Sequence, residues 1–436
     1  MAQTEQDLEK DDNFNLSKNI MKIYEPYFLI FPDYYKIFVD LLNKIIYEDN
    51  DSPFSLQYKV FFGIMASSTL YNEYLLDDFK RIFLLLGGEK SWIEQGLKCE
   101  NIPEHIKGMS VINNILAHKP WIMDWRHFSS FKTGLSAFFF QSAIILTTIQ
   151  RLAFISSSLN LIIHNDIVEE EKNKKLETIK VKKKEENEIK EEEKNDKLKE
   201  NEKEDDKKFY IDTKKKKYNK MEERIQKVIT SVKKKYTENK EEDIKEENKD
   251  INKKDIFKLY ISDLIISYSD FNPHIEKYLH LEDFNWEENA KYFYFDYAGK
   301  EMKYLDKELK FLKNMDLDSK NKKDEKKLDL FKLGGVIEKY IALIFGINDD
   351  VYNYHLTNEY IPVELKRIIK KIACGPETIK EQELSLCLEK LNKKELIYLI
   401  FEVTSIRQRI SLTFFAKAFE DFTSNNILLK NNSIDN

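Results

Sequence analysis

Between about residues 165 and 254 the chain is built almost entirely from Lys, Glu, Asp and Asn, as in VKKKEENEIKEEEKNDKLKENEKEDDKK, with neither Gly nor Pro. Such a segment cannot bury enough apolar surface to offset the entropy lost on ordering. It is therefore expected to be a long disordered linker, with transient helix supported by Glu and Lys pairs four residues apart. The interleaved signs argue against a nucleic-acid-binding tail. The linker, 165–255, leaves two stretches able to fold, 21–164 and 256–430, after a disordered tail at 1–20. A shorter charged patch from Asp316 to Lys327 reads as a loop.

Both foldable stretches carry apolar residues at spacings of three and four. Tyr35, Phe38, Val39, Leu42 and Ile45 mark one such face, and Ile337, Tyr340, Ile341 and Ile344 another. Pro32, Pro53, Pro103, Pro120, Pro273, Pro362 and Pro376 fall between these runs or at their starts, where helix punctuation belongs. No Asn-Gly or Asp-Gly hairpin signal occurs, and there are only 11 glycines in 436 residues. The expected fold class is all-α, in two helical halves packed together. Residues 133–150 are uncharged, but Ser, Thr and Gln interrupt the run and Arg151 follows, so a buried core helix is expected rather than a membrane span.

Net charge is −6, which gives neither a nucleic-acid nor an anionic-membrane footprint. Cys99, Cys374 and Cys387 are too few and too scattered for a disulfide framework, and no Cys/His spacing suits a metal. The polar, acidic start MAQTEQDLEKDD is unlike a secretory signal. A cytoplasmic or nuclear protein is expected, with no cofactor. There is no Walker loop, GxGxxG, GxSxG or HExxH. His118, in LAHKPW, reads as a cation at a helix C-terminus, and His127 and His355 lack an obvious partner. GIMASSTLYNEYLLDDF, at 63–79, has the small residues of a helix approached closely from one side, yet contains neither Cys nor His.

FPDYYKIFVDLL, QYKVFFGIMASS, LLLGGEKSW and ILAHKPWIM, in that order, resemble the first half of the sestrins. EDFNWEENA, YIALIFGINDDVYNY and KIACGPE resemble the second half. These motifs cover most of both foldable stretches and omit the linker. The resemblance implies helical halves of the alkylhydroperoxidase type. It also implies two roles: a redox activity in the first half, and amino-acid sensing coupled to the TOR pathway in the second. In the sensing role a sestrin binds the GATOR complex acting on the Rag GTPases, and bound leucine releases it.

The family's redox site is a Cys, a Tyr two residues on and a His seven residues on. The ungapped match puts Asn72, Tyr74 and Phe79 at those positions. Neither an amide nor a phenyl ring can replace a thiolate and a proton carrier, so the catalytic site reads as emptied. The family's amino-acid site uses a Glu for the ligand ammonium, an Arg for its carboxylate and a threonine-rich lid. Glu395 matches the Glu, Gly334 the Arg, and the lid falls near Asp316, Ser319 and Leu330. Glu395, Ser319 and Leu333 are thus the ligand-binding candidates. With no guanidinium, leucine or another amino acid is expected to bind weakly or not at all. The GATOR-contacting acids match the segment INDDVYNY, giving Asp349, Asp350 and Tyr352 as partner-binding candidates; the family's Trp-Ser contact in the first half is replaced by Phe138, Phe139 and Phe140.

The expected function is a sestrin-like stress-response regulator. It would restrain TOR complex 1 through binding of a GATOR-type complex under nutrient (leucine) or oxidative stress. Two alternatives stay open: an alkylhydroperoxidase-type antioxidant enzyme, which Asn72 and Phe79 disfavour, and a sensor of a different amine-bearing small molecule gripped by Glu395.

Overall fold

The computed structural model describes residues 20–162 and 255–432, apart from 23, 49–53, 130, 132–135, 161, 264–265 and 316–329. The linker, the N-terminal tail over 1–19 and the charged patch after Met315 lie outside the described residues.

Helix α1, Pro32–Leu42, starts with Pro at its first turn, where the missing N–H costs nothing, and buries Tyr34, Tyr35, Phe38, Val39, Leu41 and Leu42. It runs on as one wider turn, Asn43–Tyr47, that buries Ile45 and Ile46. Helix α2, Leu56–Thr69, is buried on every side from Lys59 onward, as befits a central helix. Helix α3, Glu73–Leu85, folds back along it with one apolar face inward, and α4, Glu104–His118, follows Pro103. The uncharged run forms α5, Ser136–Asn160, a core helix buried along its central apolar stretch and exposed only at Asn160.

The second stretch contributes α6, Lys300–Lys313; α7, Leu330–Ile344; α8, His355–Tyr360; α9, Val363–Cys374; and α10, Lys393–Asn432. The all-α expectation holds, with one addition. Strands β1, Leu279–His280, and β2, Ile347–Asn348, pair in parallel. Two residues a side are too few to signal themselves through alternation.

Both stretches share one compact unit and one continuous hydrophobic core. A buried polar seam joins them. Arg151 of α5 donates to both oxygens of Glu308 of α6, at 2.7 and 2.9 Å, and to the Tyr34 hydroxyl at 2.8 Å. Gln408 of α10 accepts from the same guanidinium at 3.3 Å and donates to Thr148 at 3.0 Å. Arg151 and Glu308 are 1% and 0% exposed, so each charge depends on the other for compensation.

A second guanidinium closes the seam elsewhere. Arg407 of α10 donates to the carbonyls of Ala117 and Leu116 at the end of α4 and of Ala373 at the end of α9, and lies 4.0 Å from the Phe154 ring. These are carbonyls that helix ends leave unpaired. The expectation for His118 is corrected here. It does end α4, but burial and the neighbouring Arg407 push its pKa down to about 4, so it is neutral and Arg407 supplies the cation.

Candidate functional site

The turn between α2 and α3 holds the residues matched to the redox site. Tyr71 takes a left-handed conformation, φ 52°, to reverse the chain. Asn72 then caps α3, its side-chain oxygen accepting from the Leu75 N–H at 3.0 Å. Its amide NH2 donates to the Ser156 hydroxyl at 2.9 Å, and that hydroxyl also meets Tyr24. Tyr74 sits edge-on to Tyr24, ring centroids 5.8 Å apart. Phe79 is fully buried against α2, where a Cβ on Gly63 would come within 2.5 Å of its ring. The site is a capping turn over a filled core, with no thiol among these three residues, and burial pushes the Tyr74 phenol above its usual pKa.

The cysteines lie elsewhere. Cys99 and Cys387 are each 2% exposed, and burial pushes the thiols of Cys374 and Cys387 up to about 11. A protonated, buried thiol is a poor nucleophile.

Glu395 does not face solvent, as its charged neighbours Lys393 and Lys394 suggest. It is 6% exposed and accepts from the backbone N–H of Asn392 at 2.8 Å, while Asn392 accepts from the Glu395 N–H at 2.9 Å. This reciprocal pair is a capping box that starts α10. Lys393 and Lys394 extend instead over the rings of Tyr27 and Phe31. Leu333 is buried on α7 beside Gly334, where an added Cβ would meet nothing within 4 Å among the described residues. Ser319 and Asp316 lie outside the described residues.

The segment after β2 is an ordered surface loop whose two acids differ. Asp349 pairs with Lys339 of α7, which holds its carboxyl below the usual range, and it also accepts from the Val351 N–H at 3.1 Å. Asp350 reaches across the strand pair to Nδ1 of His280, at 2.7 Å, and accepts from Asn348 at 2.6 Å. Its side chain is 47% exposed and the next residue, Val351, is 83% exposed. Tyr352 packs edge-on to Tyr354 at 5.1 Å, its hydroxyl buried with no hydrogen-bond partner among the described residues. Asp350 and Val351 thus face outward, while Asp349 and Tyr352 brace the loop. The role of His280, 70 positions away, left no trace in the sequence. Phe138, Phe139 and Phe140 are core residues, for example through Phe140 against Phe415 and Phe419.

These features define an all-α protein in which the matched redox position is packed shut and a braced acidic loop faces solvent. The chain belongs to the sestrin family: the family model described as PA26 p53-induced protein (sestrin) matches residues 2–422. It is 31% identical over 96 residues to Sestrin-1 of Macaca fascicularis, covering 22% of this chain and 18% of that protein. Against Sestrin-2 of Homo sapiens it is 31% identical over 104 residues, 24% of this chain and 21% of that one. Against the Sestrin homolog of Drosophila melanogaster it is 28% identical over 103 residues, 24% and 20% of the respective chains. The aligned segments therefore span about a fifth of the length of these relatives.

Proposed function

We propose that this sestrin-family chain is a stress-response regulator that acts by binding rather than by catalysis, restraining TOR complex 1 through a GATOR-type complex in the cytoplasm or nucleus. The observation that carries the binding reading is the loop after β2. Asp350 is held by His280 and Asn348 yet stays half-exposed, and Val351 beside it is 83% exposed. A fixed carboxylate next to an exposed apolar side chain suits an interface, because little further ordering is needed on binding.

Support against the enzyme reading comes from Asn72, engaged as a helix cap, and Phe79, which fills the core. Leucine is proposed to act weakly or not at all. Glu395 is engaged at the start of α10, and Gly334 offers no guanidinium for a ligand carboxylate. A different amine-bearing ligand at Glu395 would have to compete with the same capping bonds.

The test is affinity capture from native cell extract with the full chain and its Asp350→Ala variant, with and without leucine. GATOR-type components should be captured by the wild type, fall several-fold with the variant, and not respond to leucine. Capture of none by either bait would overturn the reading.

A further inference from the structure

A cavity of about 420 Å³ opens between α7, α8 and α9, and neither Glu395 nor Leu333 is among its lining residues. Its walls are apolar or aromatic, from Tyr340, Leu343 and Val363. Its rim is cationic: Lys366, Arg367 and Lys370 all line it, and no Asp or Glu does among the described residues. Lys366 and Arg367 lie four and three residues before Lys370, spacings that bring each to the side of α9 that Lys370 occupies.

The three cations are not equally engaged. Lys370 is paired with Asp270 at 2.8 Å. Lys366 is held by a neutral group, the Asn358 side-chain oxygen, at 2.5 Å. Arg367 is exposed and makes no hydrogen bond or ion pair among the described residues. The cavity lining also includes Thr357, 5% exposed, whose hydroxyl has no hydrogen-bond partner among the described residues. Buried hydroxyls ordinarily find one.

Cavities of this size accept small organic ligands. Apolar walls beneath a fork of N–H donors recognise an apolar body carrying one planar anion. We propose that this cavity binds a small amphipathic monoanion, its apolar part against Tyr340, Leu343 and Val363 and its carboxylate-like head at Arg367 and Lys366.

The probe is decanoate, titrated calorimetrically into the full chain, with decyltrimethylammonium as the cationic counterpart. Two variants accompany the wild type. Arg367→Glu reverses the charge at an exposed position, and Val363→Trp, at a residue 54% exposed, fills the mouth. Decanoate should bind saturably, about tenfold more weakly to Arg367→Glu and not measurably to Val363→Trp, with melting temperatures unchanged. Decyltrimethylammonium should not bind. The proposal is overturned if decanoate does not saturate the wild type, if both variants bind it equally well, or if the cationic probe binds as tightly.

Discussion

At the scale of single residues, the same side-chain types serve ends that the sequence does not distinguish. Asn72 bears an amide at the position the resemblance matches to a thiol, and an amide cannot do a thiolate's chemistry whatever surrounds it. Its capping bond to Leu75 was equally local, three residues away. Glu395 was harder. Its place beside two lysines suggests solvent, whereas the reciprocal bonds with Asn392 follow from an Asn three residues before a Glu, a capping-box spacing that the sequence does carry. His118 depended on an Arg 289 positions away, which no local pattern records. Because its folded pKa is depressed, the unfolded chain binds a proton between about pH 4 and the ordinary value near 6.5 that the folded chain refuses. Its contribution to stability is therefore complete above that range and lost as pH falls through it. Urea unfolding of wild type and His118→Gln across pH 4 to 7 should show the wild-type advantage rising with pH up to about 6.5 and then level; a difference independent of pH would refute the neutral assignment.

At the scale of elements, periodicity located the helices well because their apolar faces are local in sequence. The α1 face was legible residue by residue, and its expected core positions Tyr35, Phe38, Val39, Leu42 and Ile45 are all buried. The Ser, Thr and Gln that interrupt the uncharged run, with Arg151 after it, make a core helix legible, but what Arg151 pairs with is not. Glu308 lies across the charged segment, and pairing between distant helices leaves no spacing rule. Removing one member of so buried a pair strands the other charge. Arg151→Met should destabilise the protein by roughly 3–5 kcal/mol in denaturant unfolding, while adding Glu308→Leu should recover a large part of that loss. If the double variant is as unstable as the single one, the pair is not the source of the cost. The strand pair β1–β2 escaped notice because each strand has only two residues, yet it carries His280 to Asp350.

At the scale of the whole molecule, the charged segment marks where the sequence is interrupted without separating two independent cores. Arg151 with Glu308, Arg407 on three helix-end carbonyls, and the shared core all join residues from opposite sides of it. A site-specific protease cut introduced within 165–254 should leave the two fragments eluting together at the size of the intact chain in size-exclusion chromatography, and separation without denaturant would contradict a shared core. The family assignment rests on motifs that follow this architecture, and a match across residues 2–422 agrees with it. If Asn72 and Phe79 fill the matched redox position and none of the three cysteines takes its place, the chain has no thiol-based peroxidase activity. The most direct measurement is hydroperoxide consumption by the purified full chain with a thiol reductant present. The account predicts a rate no greater than that of buffer and reductant alone. Turnover above that background, abolished by replacing any one of Cys99, Cys374 or Cys387, would contradict it.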